Sequence, residues 1–218
     1  MTESELFGEA AAVGLFADPL HEWLGIHADG PRALRRISSA LLDALAARGL
    51  RVGLLAEPVA LCPWATVQAN AGFALRLSAA GRAGVVLGLL SEFGLDKMRN
   101  SRPQALSALC VKKLGLAMAS AVAPDAYVLE NATSGLDKAE AAELAALARN
   151  SLRAPAVLVT DSLDEIEAMC AWLAVPGASV RLVRCADVLL QRPSLQEYVE
   201  SLRGNGTIIN GTIINGRD

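Results

Sequence analysis

The chain has 218 residues, which suits one α/β-sized domain, and its composition of 53% apolar but only 4% aromatic residues predicts a core of small aliphatic side chains. A formal net charge of −3 and a pI near 5.5 give no electrostatic footprint for nucleic acid, so nucleic-acid binding is not expected. Four separated cysteines, an acidic N-terminus and the lack of any apolar run of about 18 residues predict reduced thiols and a cytoplasmic protein, or one peripheral on the inner face of the membrane.

Along the whole chain, apolar spacing predicts strands that alternate with helices. The predicted strands are 22–27, 51–55, 126–129, 156–160 and one or two within 179–190. The predicted helices are 32–48, a helical region 65–102 broken near 79–81, 105–123, 139–153, 163–172 and 194–202. This alternation favours a mostly parallel, three-layer sheet. The tail 204–218 contains a tandem GTIIN and is predicted to be flexible or non-native, with a small hairpin as the alternative.

The most specific motif is the segment Leu106–Asp137, LSALCVKKLGLAMASAVAPDAYVLENATSGLD. It resembles, without a gap, the signature-to-Walker B segment of ABC-transporter ATPases, LSGGxxxRxxLARAxxxxPxxLLxDEPTSGLD. Residues 57–73 resemble the stretch that follows the Q-loop Gln, and 90–103 resemble the stretch before the signature. The likeness covers about 22–202, nearly the whole chain. Within the family it is most similar to the lipid-trafficking branch that works with MCE proteins, or to nitrate/sulfonate importers.

This resemblance implies a P-loop NTPase-like α/β fold, with a mostly parallel sheet flanked by helices. It implies a single ABC-ATPase-like domain over 1–203, a helical subdomain at about 65–110, and a tail outside the domain. From the position of the phosphate-loop Lys to Ala56 the chain is about half as long as is usual in the family, by analogy of fold. The N-terminal antiparallel β part is therefore expected to be reduced.

The phosphate loop of such ATPases uses glycine amides to surround the phosphates and a Lys to meet their charge. This chain has ADGPRALRR there, and the Lys position falls on Leu34 without a gap or on Arg36 after a two-residue shift. The doubtful nucleotide-binding set is Gly30, Arg32, Arg35 and Arg36. The arginines form either an anion site at a helix N-terminus or a solvated basic first turn, and we favour the second interpretation.

Four positions that the resemblance assigns to catalysis hold unsuitable residues: Glu130, Asn131, Asp161 and Ala56. Glu130 replaces the metal-binding Asp, and a shift of about 1 Å in its carboxylate can cost about 10²-fold in rate. Asn131 replaces the Glu that orients water, and it cannot accept a proton, a loss of about 10²–10⁴-fold. Asp161 replaces the switch His and would repel phosphate. We favour Asp161 as a helix N-cap, with Asp164 and Glu165 in the first turn.

The D-loop is the best preserved motif. In the family it lies between two cassettes, so the predicted interface residues are Ser107, Ser134, Gly135, Leu136 and Asp137. An equally weighted alternative is that Asp137 caps the following helix.

These changes imply a catalytically degenerate ABC-ATPase-like subunit with a structural or regulatory role in a transport system, rather than an active enzyme. Neither cofactor nor metal is expected. The alternatives are a weak Mg-ATP-binding cassette that acts with an active partner, and a soluble regulator with a repurposed ligand cleft. The expected partners are a second copy or an active ATPase cassette, and a membrane permease that docks near 56–76, but no nucleic acid.

Overall fold

The computed structural model describes residues 23–76, 83–175 and 181–204. The predictions of a helix break near 79–81 and of a flexible tail beyond residue 204 lie outside these residues, as does the N-terminal segment 1–22. The described residues form two compact units, one of 23–48, 155–175 and 181–204, the other within Gly49–Ala154. Within the described residues, no helix is long and apolar enough to cross a membrane.

The first unit is built on four strands in the order β4-β1-β5-β6. β1 pairs in parallel with β4 and with β5, whereas β5 and β6 are antiparallel. The strands are β1 (Leu24–His27), β4 (Ala156–Thr160), β5 (Trp172–Val175) and β6 (Arg181–Arg184). The helices are α1 (Gly30–Ala47), α6 (Leu163–Met169), α7 (Cys185–Leu189) and α8 (Leu195–Gly204).

Burial explains why these segments form the core of the first unit. All five residues of β4 are buried, as expected of a central parallel strand rich in Val and Leu. The buried residues of α1 recur every three or four positions, so one face of the helix covers the sheet. Gly25 lets α6 pack closely on β1, since a Cβ there would lie 2.5 Å from Ile166 Cγ2.

The second unit pairs β2 (Val52–Leu55) in parallel with β3 (Ala126–Glu130). Its helices are α2 (Val67–Arg76), α3 (Ala83–Glu92), α4 (Ala108–Ser120) and α5 (Lys138–Ser151). Two short 3-10 helices, Asp96–Met98 and Pro103–Ala105, connect α3 to α4. Three of the four strand pairings within the two units are thus parallel, which agrees with the predicted fold class.

Two glycines let α4 approach β2 closely. A Cβ on Gly53 would lie 2.7 Å from the carbonyl oxygen of Ala119, and one on Gly115 would lie 2.5 Å from Leu55 Cδ1. Both distances are shorter than van der Waals contact. At Gly53 the neighbour is a helix carbonyl, so a side chain there would push the helix off the strand, whereas at Gly115 the side chains of Leu55 and Val59 would have to shift.

Most predicted elements are confirmed, including β4 at its predicted bounds. Only residues 48–51 separate α1 from β2, in line with the reduced antiparallel part. One prediction near the end was wrong. The helix predicted for 163–172 ends at Met169, and Trp172 begins β5, where it pairs with Leu24. The region 179–190 contains one described strand, β6, as predicted, and the short helix α7 follows it.

Candidate functional site

In the second unit, polar groups gather where β3 ends. The ammonium of Lys112, on α4, donates to the carboxylate of Glu57, to the carbonyl oxygen of Asn131 (2.9 Å) and to Ser134 Oγ (3.1 Å). Ser134 Oγ donates in turn to Glu57 Oε2 over 3.0 Å. Lys112 is only 5% exposed, whereas the Glu57 side chain is 34% exposed. We call Glu57, Lys112 and Ser134 the Lys112 cluster.

Glu130 and Asn131, at the predicted Walker B positions, lie beside this cluster. Glu130 is the last residue of β3, and its Oε2 accepts a hydrogen bond from the backbone N–H of Glu57 over 3.2 Å. Asn131 has a φ of +40°, and its carbonyl oxygen also accepts from the N–H of Ser134. The Glu130 carboxylate thus makes a hydrogen bond within the fold, to the segment that follows β2. Ala56, at the Q-loop position, is the half-buried residue just before Glu57.

The D-loop residues that follow are held by local hydrogen bonds. Gly135 has a φ of +76°, which favours glycine, and the N–H of Leu136 donates to the carbonyl of Thr133. Asp137 Oδ1 accepts from the N–H groups of Ala139 and Glu140, both over 2.9 Å, and Glu140 Oε2 accepts from the N–H of Asp137. This capping box confirms that Asp137 is the N-cap of α5.

The interface role of the D-loop stays a prediction. Ser134, Gly135 and Asp137 are exposed, and Leu136 is half-buried, so the segment presents a surface that a partner could contact. Ser107, the remaining interface candidate, is exposed and caps α4 by accepting from the N–H of Cys110 over 3.2 Å.

In the first unit, only Ala28 and Asp29 of the predicted phosphate loop lie between β1 and α1, and its other residues, from Gly30 onward, belong to α1. The N–H of Ala28 donates to the carbonyl of Thr160, and the N–H of Gly30 donates back to the carbonyl of Ala28, both over 2.8 Å. Pro31 has no N–H to offer at the start of α1. Leu34, one candidate for the Lys position, is buried in the core. All three arginines of the predicted set, Arg32, Arg35 and Arg36, are exposed, as a solvated first turn requires.

The favoured interpretation of Asp161 was wrong. The N-cap of α6 is Ser162, whose hydroxyl accepts from the N–H of Glu165 over 3.3 Å. Asp161 stands one residue earlier and is exposed, and its carbonyl oxygen lies 3.2 Å from His27 Nε2. Asp164 and Glu165 occupy the first turn as predicted, but Glu165 is buried and accepts from Thr160 Oγ1. Ser162 is the cap because its backbone is extended, which lets its hydroxyl reach the N–H of Glu165.

Comparison with known proteins identifies the family, although no family model matches the chain. The chain is 30% identical over 171 residues to the methionine import ATP-binding protein MetN of Xylella fastidiosa, covering 73% of this chain and 51% of that one. It is 34% identical over 174 residues to MetN 2 of Pseudomonas aeruginosa, covering 72% and 52%.

Solved structures agree on the fold. The ATP-binding subunit of an ABC transporter matches with a TM-score of 0.58 at 18% identity, over 83% of this chain and 88% of that one. A dimeric ATP-binding cassette, in a post-hydrolysis state with ADP and phosphate, matches with a TM-score of 0.57 at 16% identity, over 75% and 85%. The chain belongs to the ABC ATP-binding protein family. It spans about half the length of the curated relatives it matches, and its branch within the family stays a prediction.

The helical part of this ABC-family chain exposes a group of large apolar side chains. Trp64 is 75% exposed, Phe73 44% and Met98 39%. The loop that carries Trp64 is held by Asn70, a buried residue of α2. Its Oδ1 accepts from the N–H of Cys62 over 2.7 Å, and its Nδ2 donates to loop carbonyls, including that of Thr66 at 3.0 Å. Trp is enriched among the residues that dominate binding at protein interfaces.

Sequence reasoning missed the pairing of Glu57 with Lys112. The two residues are 55 positions apart, so no local spacing joins them. One signal was available, because Lys112 precedes Gly115 and Leu116 by three and four residues and therefore shares their buried helix face. A Lys on a buried face calls for an acidic partner.

Within the described residues, no group of three or more His, Cys, Asp or Glu side chains could hold a metal ion.

Proposed function

We propose that this chain is a catalytically degenerate ABC-ATPase-like subunit that binds or hydrolyses little or no ATP and has a structural or regulatory role in a transport system. The observation that carries the proposal is at the end of β3. There the Glu130 carboxylate accepts from the backbone N–H of Glu57, and the next residue is the amide Asn131. Metal binding and activation of water both need carboxylates at these two positions.

The residues present do not fit Mg-ATP in either unit. In the first unit, α1 has Pro31 in its first turn, where an amide donor is needed, and a buried Leu34. The carboxylates of Asp29, before α1, and Asp161, after β4, are exposed. Negative side chains at an anion site oppose phosphate binding. In the second unit, Asn131 cannot act as a base.

Two exposed segments of the second unit, the D-loop and the loop of Trp64, are suited to partners. They support the proposed structural or regulatory role. The D-loop has a defined backbone and a complete capping box. Trp64 projects from a loop that Asn70 holds in place. We propose that the D-loop pairs with a second copy or an active cassette, and that the surface of Trp64, Phe73 and Met98 docks a membrane permease. The chain would then work at the inner face of the membrane.

Calorimetry with Mg-ATP tests the catalytic half. The purified chain should give no saturable binding heat and no phosphate release, whereas a MetN relative assayed in parallel should give both. The variant N131E, which restores the carboxylate, should stay inactive because the phosphate loop is also altered. Saturable heat together with phosphate release that E130Q abolishes would overturn the proposal.

Co-purification from the native host with mass spectrometry tests the partner half. We expect a permease or an active ATPase cassette to be recovered with the wild-type chain, and the permease to be lost with W64A. The control is L190A, because Leu190 is 85% exposed but lies in the other unit. Equal recovery of the permease with W64A and with L190A would refute a role for Trp64 in docking.

The alternative is a weak Mg-ATP-binding cassette in which the Glu130 carboxylate would hold the metal and an active partner would supply the missing base. It differs from the first in one measurable way: binding heat with Mg-ATP would appear only after the partner cassette is added. A regulator with a repurposed cleft would instead purify without transport proteins.

A further inference from the structure

The Lys112 ammonium is the centre of a polar cluster in the second unit in which each of its N–H donors has an acceptor. An ammonium has three N–H donors, and Lys112 directs them to Glu57 Oε2, the carbonyl of Asn131 and Ser134 Oγ. A buried charge is tolerated only when it is paired and hydrogen-bonded. The Lys112 charge meets that condition with contacts from two separate stretches of chain.

These contacts join three parts of the chain that are distant in sequence. Glu57 follows β2, Lys112 lies in the first half of α4, and Asn131 and Ser134 belong to the segment between β3 and α5. α4 cannot shift freely along β2, because Gly115 places it against Leu55. The Lys112 Nζ is therefore held at one place, and residues 131–134 are bound to it through one backbone and one side-chain oxygen.

The backbone of 131–137 gains little from regular structure. It lies between a strand and a helix, with left-handed φ at Asn131 and Gly135 and two internal turn bonds, to the carbonyls of Asn131 and Thr133. Segments with few backbone bonds open most readily, unless side chains bind them. Here the Lys112 cluster binds the beginning of the segment, and the Asp137 capping box binds its end.

We propose that Lys112 is a fixed internal cation that holds residues 131–137 in one arrangement without nucleotide or metal ion, so that the surface Ser134–Asp137 is permanently ready for its partner. The proposal rests on the function proposed above, in so far as that surface binds a partner. It adds the form of regulation: pairing through this surface does not respond to nucleotide.

Hydrogen exchange of the full chain, followed by mass spectrometry, tests the role of Lys112. K112M keeps the aliphatic stem but removes the ammonium, and it should speed amide exchange in 131–137 by at least about tenfold. The matched control is K113M, because Lys113 lies on the same helix and pairs with Glu143. K113M should leave exchange in 131–137 unchanged. Exchange in K112M equal to that of the wild type would overturn the proposal.

Two further measurements keep the proposal testable. If K112M does not fold, S134A removes only one acceptor of the cluster and should speed exchange in the same segment by several-fold, and wild-type exchange there would refute the role of the cluster. Mg-ATP should leave wild-type exchange in 131–137 unchanged, and a clear slowing would refute nucleotide-independent ordering.

Sedimentation of the wild-type chain with and without a partner cassette separates this inference from the proposed function. Loss of segment protection in K112M, with no pairing by the wild type, would support the internal cation and refute the partner surface. Pairing by the wild type, with unchanged protection in K112M, would do the reverse.

Discussion

Gly53 offers a sharp test of how closely α4 packs on β2. In G53A, the new Cβ would lie 2.7 Å from the Ala119 carbonyl oxygen and 2.8 Å from Tyr127 Cδ1. The oxygen belongs to a helix backbone and cannot rotate away, and the Tyr127 ring is buried and hydrogen-bonded to Ser120. Neither neighbour can give way by a side-chain rotation, so the helix or the strand has to move.

The expected loss follows from two opposing effects. Overpacking a buried site costs about 1–3 kcal/mol, with the backbone contact placing G53A toward the upper end. Replacing Gly by Ala also lowers the entropy of the unfolded chain, which returns about 0.4–1 kcal/mol. The free energy of unfolding should therefore fall by about 2 kcal/mol. For a chain of this size, that corresponds to a drop in Tm of about 4–8 °C.

G88A is the matched control. Gly88 is exposed within α3, and a Cβ there has no atom within 4 Å. The substitution should raise the free energy of unfolding by about 0.5–1 kcal/mol, because Ala favours the helix. Urea titrations should show opposite shifts in midpoint at an unchanged slope. A G53A midpoint at or above that of the wild type would refute the close packing.

Three further predictions concern other parts of the chain. D137A should lower the free energy of unfolding by about 1 kcal/mol through loss of the α5 cap, and an unchanged urea midpoint would contradict it. Arg51 hydrogen-bonds Asp125 and lowers the pKa of its carboxyl below 3.8, so the stability this contributes is present above that pH and lost as pH falls through the folded pKa. The stability difference between wild type and D125N should therefore shrink below about pH 4 in urea titrations, and a constant difference would refute the pairing. Burial raises the pKa of the Cys185 thiol to about 11, so iodoacetamide at pH 8 should alkylate half-buried Cys62 well before Cys185, and equal rates would contradict the burial.

The elements that sequence predicted well are those fixed by local pattern. β4 is a run of apolar and β-branched residues buried on both faces, and its bounds were correct. The buried stripe of α1 follows directly from helical spacing, and Gly49 follows the helix with a φ of +72°. Asp137 could be recognised as a cap from its place before an Ala-rich helix that carries Glu140.

What the sequence did not predict depends on contacts between distant residues. Trp172 extends a helical pattern, yet it forms a strand because β1 offers a parallel partner beside it. The choice between Asp161 and Ser162 as cap rests on a one-residue difference in where the backbone turns. The Glu57–Lys112 pair forms only once α4 lies on β2, so neither motif nor spacing could place it.

Asn70 separates the shape of a surface from its chemistry. The buried amide of Asn70 hydrogen-bonds backbone groups of the loop from Cys62 to Thr66, whereas the indole of Trp64 is 75% exposed and lies outside those bonds. Residue 64 is thus open to change without refolding of the loop. Under the proposed docking role, one substitution at residue 64 would change the chemistry offered to a permease while the loop keeps its form.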